Sequence, residues 1–325
     1  MKNSEKVIKY LADKQVSVNE LTEYLGISRQ AVHRILNNLI ESKEIIKSGK
    51  TPRVYYSVPK TKTQTKKITG LIVGETTKKV IEDNFLYITS FGQKFAGWDG
   101  FVEWCVDRKQ GVTKMSKIYL KTIRRYEGHK KDGLIDDTSK LRLTFEELVL
   151  DKVFYIDFYS IEIFGKTKLG QLLLFAKQSQ DKTLMNQMID SIELSVQKVL
   201  KKFDIDGIAY IPPTVKREHQ LMKQIEKRLG LNVRKIAVVK IKTPVIVPQK
   251  TLNKLEDRII NARETMVVDD NGRYNNILIL DDAVGSGSTL NETAKKIRQR
   301  GICKGKIIGL AITGSAKGFD VISEV

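Results

Sequence analysis

Two adjacent aspartates followed by a loop of small residues are the most distinctive chemical feature of the sequence. Asp281 and Asp282 follow the apolar run 277–280, and the segment AVGSGST comes directly after them. The backbone amides and hydroxyls of such a loop, at the start of a helix, can surround a phosphate. The two carboxylates would repel a phosphate but can accept hydrogen bonds from vicinal hydroxyls. We therefore expect a ligand with both groups, such as a sugar phosphate.

The residues around this motif have the pattern of a strand, a loop and a helix. The run 277–280 suits a strand buried on both faces of a parallel sheet, and an amphipathic helix follows the loop and ends near Gly301. Other glycine-rich loops fit less well. A Walker A loop needs a lysine after its last glycine, and a dinucleotide-binding loop needs a small residue at Leu290. A flexible Gly/Ser linker would leave the strand and the aspartates unexplained.

The segment LILDDAVGSGSTL resembles the phosphoribosyl-pyrophosphate (PRPP) motif of type I phosphoribosyltransferases. Upstream, Gln249, Leu252, Arg258 and Asn261 match a pattern of the ComF-like branch of that family, which is linked to DNA uptake. The segments DIDGIAYIPPTVKREHQ and YSIEIFGKTKLGQLLLFAKQ also resemble this branch. The resemblance implies that residues 151–325 form a phosphoribosyltransferase-like domain of the α/β class, with a parallel sheet and flanking helices.

This resemblance also implies roles for particular residues. The acidic pair would bind the ribose hydroxyls, and the pyrophosphate would lie near Thr214, Lys216 and Arg217. Cations and a Mg²⁺ ion carried by PRPP would stabilise the charge that develops on the leaving pyrophosphate. The implied catalytic residues are Asp281, Asp282, Arg258, Lys216 and Arg217. The residues implied to bind PRPP and its phosphate are Asp281, Asp282, Ala283, Val284, Gly285, Ser286, Gly287, Ser288 and Thr289.

Two points at this site stay open. Gly285 stands where 6-oxopurine salvage enzymes have an aspartate, which argues against hypoxanthine or guanine salvage, and no residue identifies the acceptor. Arg258 and Asn261 could also belong to an ordinary capped surface helix.

The first 58 residues have a different pattern and are rich in basic residues. Apolar spacing predicts a helix around Val7, a second from Val18 to Gly26, a third capped by Ser28, and two short strands around Gly49. This order resembles the winged helix-turn-helix family over residues 3–58. Polar side chains on the third helix could reach base edges in the major groove, and cations on the wing could meet phosphates. The candidate nucleic-acid contacts are Ser28, Arg29, Gln30, His33, Arg34, Asn37, Lys47, Lys50 and Arg53. A protein-docking module is the alternative.

Two segments connect these regions. Residues 59–67, PKTKTQTKK, have the composition of a basic linker. Residues 68–150 are interpreted as an α+β insertion of unknown role. Within it, the aromatic segment 95–105 fits a hydrophobic core better than a base-stacking platform. The basic segment 114–131 fits a solvated helix face better than a phosphate-binding surface.

The whole-chain composition excludes several classes of protein. The chain has 325 residues, two cysteines, three histidines and a formal net charge of +19, which favours an acidic partner. The cysteines and histidines are scattered, so the sequence predicts neither a disulfide framework nor a zinc site. No apolar run is long enough to span a membrane, and the first residues do not resemble a signal peptide. We therefore expect a reduced, cytoplasmic protein without membrane contact.

Two hypotheses of function remain open. The first is a pentosyltransferase or glycosidase that uses PRPP or a nucleotide and that the winged helix brings to DNA or RNA. The second is a regulator whose phosphoribosyltransferase fold senses PRPP or a nucleotide without turnover, as in purine repressors. The domain combination also resembles effector proteins of retron-type anti-phage systems, which implies a reverse transcriptase–DNA complex as a partner. A homodimer is a further expectation.

Overall fold

The computed structural model describes residues 2–42, 44–58, 73–215, 217–241, 247, 251–252 and 254–315. These residues form two compact units that divide at residue 70. The elements of the first unit are α1 (Asn3–Tyr10), α2 (Val18–Leu25), α3 (Arg29–Glu41), β1 (Ile46–Lys50) and β2 (Arg53–Ser57). Strands β1 and β2 pair in antiparallel fashion. The predicted order of helices, turn, helix and ribbon is confirmed.

Local capping signals determine where the helices of the first unit begin and end. The Ser17 hydroxyl accepts a hydrogen bond from the Glu20 amide, and the Glu20 carboxylate accepts one from the Ser17 amide, which together form a capping box at the start of α2. Gly26 ends this helix in the left-handed conformation with a φ of 61°. The Ser28 hydroxyl then accepts from the Ala31 amide at 3.3 Å and starts α3. The turn between α2 and α3 is therefore encoded locally.

The second unit is an α/β structure built on one large sheet and three small ribbons. Its elements are α4 (Glu75–Asn84), β3 (Leu86–Ile88), β4 (Lys94–Ala96), α5 (Gly97–Asp107), α6 (Val112–Glu127), β5 (Lys130–Lys131), β6 (Leu134–Asp136), α7 (Thr138–Thr144), β7 (Lys152–Phe158), β8 (Ser160–Ile161), β9 (Gly165–Lys166), α8 (Lys168–Ser179), α9 (Lys182–Lys202), β10 (Gly207–Tyr210), α10 (Leu221–Leu229), β11 (Arg234–Ile236), β12 (Val238–Lys240), α11 (Leu255–Thr265), β13 (Met266–Val268), β14 (Ile277–Val284), α12 (Ser288–Gln299) and β15 (Ile307–Gly314).

The large sheet has the strand order β11-β10-β14-β15-β7-β6-β5. Neighbouring strands from β11 to β7 are parallel, and β6 and β5 extend the sheet with antiparallel pairing. Side chains of β14 alternate between two cores. Ile277 and Ile279 belong to the core that contains α12, whereas Leu278 and Leu280 belong to the core that contains α10. This two-sided burial explains the uninterrupted apolar run, and it confirms the predicted class of a mainly parallel sheet with flanking helices.

Strand β14 is longer than the sequence predicts. The apolar run suggested an end at Leu280, but the strand continues through Val284 because Asp281, Ala283 and Val284 pair with residues of β15. The connection between the strand and α12 is therefore only residues 285–287. Ala283 and Val284 belong to the strand, and the predicted loop is shorter than its sequence suggests.

Residues 75–145 share the core of the second unit. Phe101 and Trp104 are 0% and 3% exposed and pack in the same cluster as Val153 of β7. This burial confirms the hydrophobic-core interpretation of the aromatic segment. The proposed linker, residues 59–67, lies outside the described residues. Both cysteines are buried and unpaired, and no helix within the described ranges could cross a membrane.

Candidate functional site

A cavity of about 220 Å³ lies at the carboxyl ends of β10 and β14. Strand β11 lies on one side of β10 and β14 on the other, and α10 and α12 belong to opposite cores. The chain therefore changes winding direction between β10 and β14. Ligands of open α/β sheets bind at such a topological switch point, outside the carboxyl ends of the strands. The topology selects this cavity independently of any sequence motif.

The acidic pair lies in this cavity, and each carboxylate has a lysine near it. Successive residues of a strand point to opposite faces, so Asp281 and Asp282 diverge. The Lys177 ammonium, from the last turn of α8, lies 2.6 Å from the Asp282 carboxylate. Lys240, at the end of β12, is close enough to Asp281 for the two charges to influence each other. The pair is thus held between two cations.

The environment of Asp281 favours its protonated form. Burial, and then the neighbouring Asp282 charge, raise the pKa of Asp281 to about 7, while an amide hydrogen bond and the two lysines oppose this rise. Burial lowers the pKa of Lys240, and the Asp281 charge opposes that change. Carboxylates with raised pKa values in a cleft are typical of binding and catalytic sites.

Two of the three residues predicted for the pyrophosphate side, Thr214 and Arg217, lie at the same cavity. The Lys240 ammonium donates a hydrogen bond to the Thr214 hydroxyl at 2.8 Å. The Arg217 guanidinium, which also lines the cavity, donates to the backbone carbonyl of Lys177. Lys216 lies outside the described residues. The structure therefore brings Thr214 and Arg217 to the acidic pair.

Arg258 also lines the cavity and donates a hydrogen bond to the Leu252 carbonyl at 2.7 Å. The side-chain oxygen of Asn261, one turn further along α11, is buried without a hydrogen-bond partner among the described residues. Gln249, the first residue of the same sequence pattern, lies outside the described ranges. Arg258 is thus a cavity residue.

The start of α12 supplies hydrogen-bond donors to the lining of the cavity. Gly287 has a φ of 79° and precedes the helix, and the amides of its first turn have no partner within the helix. The Ser286 and Ser288 hydroxyls are buried and hydrogen-bond each other at 2.9 Å. Gly285 and Thr289 are half-buried and line the cavity. An anion here would meet backbone amides and the Thr289 hydroxyl.

Positive charge predominates in the cavity lining. Among the residues that the structure describes, four cations line it together with the two aspartates, so an anionic ligand that also offers hydroxyl groups complements the site. The four cations are Lys177, Arg217, Lys240 and Arg258. Sequence reasoning missed Lys177 and Lys240 because nothing local distinguishes them among the 57 lysines and arginines of the chain.

The first unit presents the predicted polar face of α3 to solvent. The exposed residues of this face and of the wing are Ser28, Arg29, Gln30, His33, Arg34, Asn37, Lys47 and Arg53. Ser28 is also the residue that caps α3. Lys50 belongs to β1, and its side chain lies outside the described atoms. The opposite face of α3 buries Val32, Leu36 and Leu39 against α1 and α2.

Residues 7–50 match the MarR family. The first unit is therefore a MarR-type winged helix-turn-helix domain, a class of DNA-binding domain, and the predicted resemblance of this region is confirmed. A comparison of the chain with curated proteins found no match. The match to the MarR family ends before the second unit, for which the phosphoribosyltransferase resemblance stays a prediction.

Proposed function

We propose that the second unit binds a ribose 5-phosphate ligand, either PRPP or a nucleotide, and couples it to the nucleic acid held by the MarR-type domain. One observation carries this proposal. The adjacent carboxylates Asp281 and Asp282 share a cavity with four cations and with the N-terminus of α12. Carboxylates accept hydrogen bonds from hydroxyl groups, and cations and a helix N-terminus bind phosphates, so a ligand that carries both groups matches this site.

Each part of the ligand has a matching part of the cavity. The ribose hydroxyls would donate to Asp281 and Asp282, and the 5-phosphate would accept from the first turn of α12. A pyrophosphate group would lie against Thr214, Arg217 and Arg258, on the other side of the aspartates. A Mg²⁺ ion would arrive with the pyrophosphate, because this ion commonly uses one or two carboxylates together with substrate phosphates.

The cations favour a pentosyltransferase. Displacement of pyrophosphate from the anomeric carbon places negative charge on the leaving group, and two guanidinium groups of the cavity lining, those of Arg217 and Arg258, could stabilise that charge. The carboxylates would meanwhile stabilise positive charge on the ribose ring.

The MarR-type domain favours a second candidate, a transcriptional regulator that senses the same ligand without turnover. Both candidates use one ribose-phosphate site, so they differ only in whether the bound ligand is then converted. The reverse transcriptase–DNA complex and the homodimer stay predictions.

Calorimetric titration tests the binding site. The full-length protein is titrated with PRPP and Mg²⁺, with ribose 5-phosphate and with AMP, and the same titrations are made on Asp281→Asn and Asp282→Asn. Each substitution removes hydrogen bonds to a charged group, which contribute about 1.5–3 kcal/mol, so we expect affinity to fall about 10-fold to 150-fold. Asp269→Asn, at an exposed position outside the cavity, is the control and should bind normally. Full affinity in both cavity variants would remove the ribose assignment.

Turnover distinguishes the two candidates. The protein is incubated with labelled PRPP, with and without DNA, RNA and a panel of nucleobases, and release of pyrophosphate is followed. Release that Asp281→Asn abolishes identifies a transferase or hydrolase. Tight binding without release identifies the regulator.

A further inference from the structure

Helix α6 of the second unit carries a continuous basic face. Five cations project from it at spacings of three and four residues, and at 3.6 residues per turn they occupy a sector of about 100°. All five are exposed, and we call them the α6 basic face: Lys114, Lys117, Lys121, Arg124 and Arg125. Between Lys114 and Arg125 the helix rises by about 16 Å.

Little negative charge balances this face. Arg125 forms an ion pair with Glu162, but the other four cations make no ion pair with any residue that the structure describes. The only acidic residue of α6, Glu127, lies at its end and pairs with Lys130. Helix α9, by contrast, places Asp190 and Glu193 among its lysines.

The arrangement works against the stability of α6. Like charges three and four residues apart repel each other on a helix, and the pairs include Lys117 with Lys121 and Lys121 with Arg125. A face selected only for solubility would mix both signs of charge. The uncompensated repulsion therefore points to a polyanionic partner that relieves it.

The opposite face of α6 fixes the helix firmly. Met115 and Tyr119 are 4% and 2% exposed, and Tyr119 packs edge-to-face against Phe85 and Phe164. Val112 and Thr122 are also buried. The five cations therefore lie on a rigid helix, so a partner can bind them without the entropy cost of ordering the backbone.

The sequence pattern alone favours a solvated helix face here, but the exposed and almost unpaired cations lead to a different conclusion. We infer that the α6 basic face is a second nucleic-acid contact, which binds the phosphodiester backbone independently of the MarR-type domain. The phosphates of one strand rise by about 3.4 Å each along the duplex axis and also wind round it, so a straight face of about 16 Å spans the rise of about five phosphates and can contact some of them. Such contacts hold and position a nucleic acid but do not read its sequence. The inference goes beyond the ribose-phosphate site and does not depend on it.

The test measures how nucleic-acid affinity of the full-length chain depends on salt. A variant with Lys117→Gln, Lys121→Gln and Arg124→Gln is compared with a matched control, Lys182→Gln, Lys198→Gln and Lys201→Gln, which removes three exposed lysines from α9. The probes are random-sequence duplex DNA, duplex RNA and single-stranded DNA. Both variants are also made with Arg34→Ala and Arg53→Ala in the MarR-type domain, so that binding outside that domain is measured separately.

Each lost phosphate contact lowers the slope of log affinity against log salt by about 0.9 on duplex DNA. For the α6 variant we expect the magnitude of this slope to fall by about 2–3. We also expect its affinity at 0.1 M salt to fall at least about tenfold. The control should keep the native slope. The α6 variant should unfold at the native temperature or above it, because repulsion is removed. A native slope in the α6 variant, or an equal loss in the control, would overturn the inference.

Discussion

The Lys177 ammonium lies 2.6 Å from the Asp282 carboxylate, although 105 residues separate them in the chain. Both side chains are largely buried, with exposed fractions of 20% and 17%. The backbone carbonyl of Lys177 also accepts a hydrogen bond from Arg217. One residue at the end of α8 therefore connects the acidic pair of β14 with the segment that follows β10. We expect this residue to hold the site together before any ligand binds.

Removal of the Lys177 ammonium should destabilise the second unit. Lys177→Met leaves the Asp282 carboxylate in a largely buried position without its cation, and we expect the free energy of unfolding to fall by about 1–3 kcal/mol. The substitution should also raise the pKa of Asp281 further, because the Lys177 charge opposes the rise. Urea denaturation followed by circular dichroism measures the first effect. Lys182→Met, at an exposed position at the start of α9, should change stability by less than about 0.5 kcal/mol.

The first unit and the acidic motif could be predicted because their signals are local. Ser17, Gly26 and Ser28 mark helix ends through hydrogen bonds and dihedral angles that involve residues at most four positions away. The apolar run before Asp281 indicates a strand buried on both sides by composition alone. The match to the MarR family confirms the first of these predictions.

The remaining features depend on distant partners. Nothing near Lys177 or Lys240 in sequence indicates that either reaches the aspartates. The predicted end of β14 was wrong because this strand pairs with β15, about thirty residues later in the chain, and the pairing extends β14 past Leu280. Strand β6 joins the sheet through Ile135 and Asp136, which pair with β7, and no pattern in the sequence predicted this extension.

The affinity for PRPP should rise with pH around neutrality. The pKa of Asp281 is raised to about 7, so this carboxyl is largely protonated at pH 6 and ionised at pH 8. An ionised carboxylate is the better acceptor for ribose hydroxyls. Titration of the full-length protein with PRPP at intervals from pH 6 to pH 8.5 measures the change, and Asp269→Asn should follow the native curve. An affinity that falls over this range would contradict the assignment.

The contribution of Asp281 to the free energy of unfolding should fall as pH rises, whereas the affinity for PRPP should rise. Between its ordinary pKa near 4 and about 7, Asp281 binds more protons in the folded than in the unfolded state, so its contribution to stability is lost as pH rises through this range. Asp281→Asn removes this loss. We therefore compare the free energy of unfolding of the variant with that of the native protein at each pH. We expect this difference to favour the variant more at pH 8 than at pH 5, by about 1 kcal/mol or more. An equal difference at the two pH values would exclude a raised pKa.

Gly287 should be intolerant of a side chain for two separable reasons. Its φ of 79° is unfavourable for any residue with a Cβ atom, and that atom would lie 2.9 Å from a methyl carbon of Leu141. Gly301, after α12, also has a positive φ of 66° but has open space around it. We expect Gly301→Ala to cost about 1 kcal/mol and Gly287→Ala about 1–2 kcal/mol more. Equal losses of unfolding free energy in the two variants, measured by urea denaturation, would show that the Leu141 side chain moves away without cost.

The MarR-type domain should bind DNA through α3 and the wing. Arg34 on α3 and Arg53 on β2 are exposed, so Arg34→Ala and Arg53→Ala should preserve the fold. If each contacts a phosphate, each substitution lowers the slope of log affinity against log salt by about 1, and loss of a base contact instead costs about 1–3 kcal/mol and relaxes sequence preference. Fluorescence anisotropy with DNA from the protein's own promoter and with random duplexes, at several salt concentrations, separates these effects. Lys9→Ala, an exposed substitution on α1, is the control. Unchanged affinity and slope in both arginine variants would mean that this winged helix docks a protein rather than DNA.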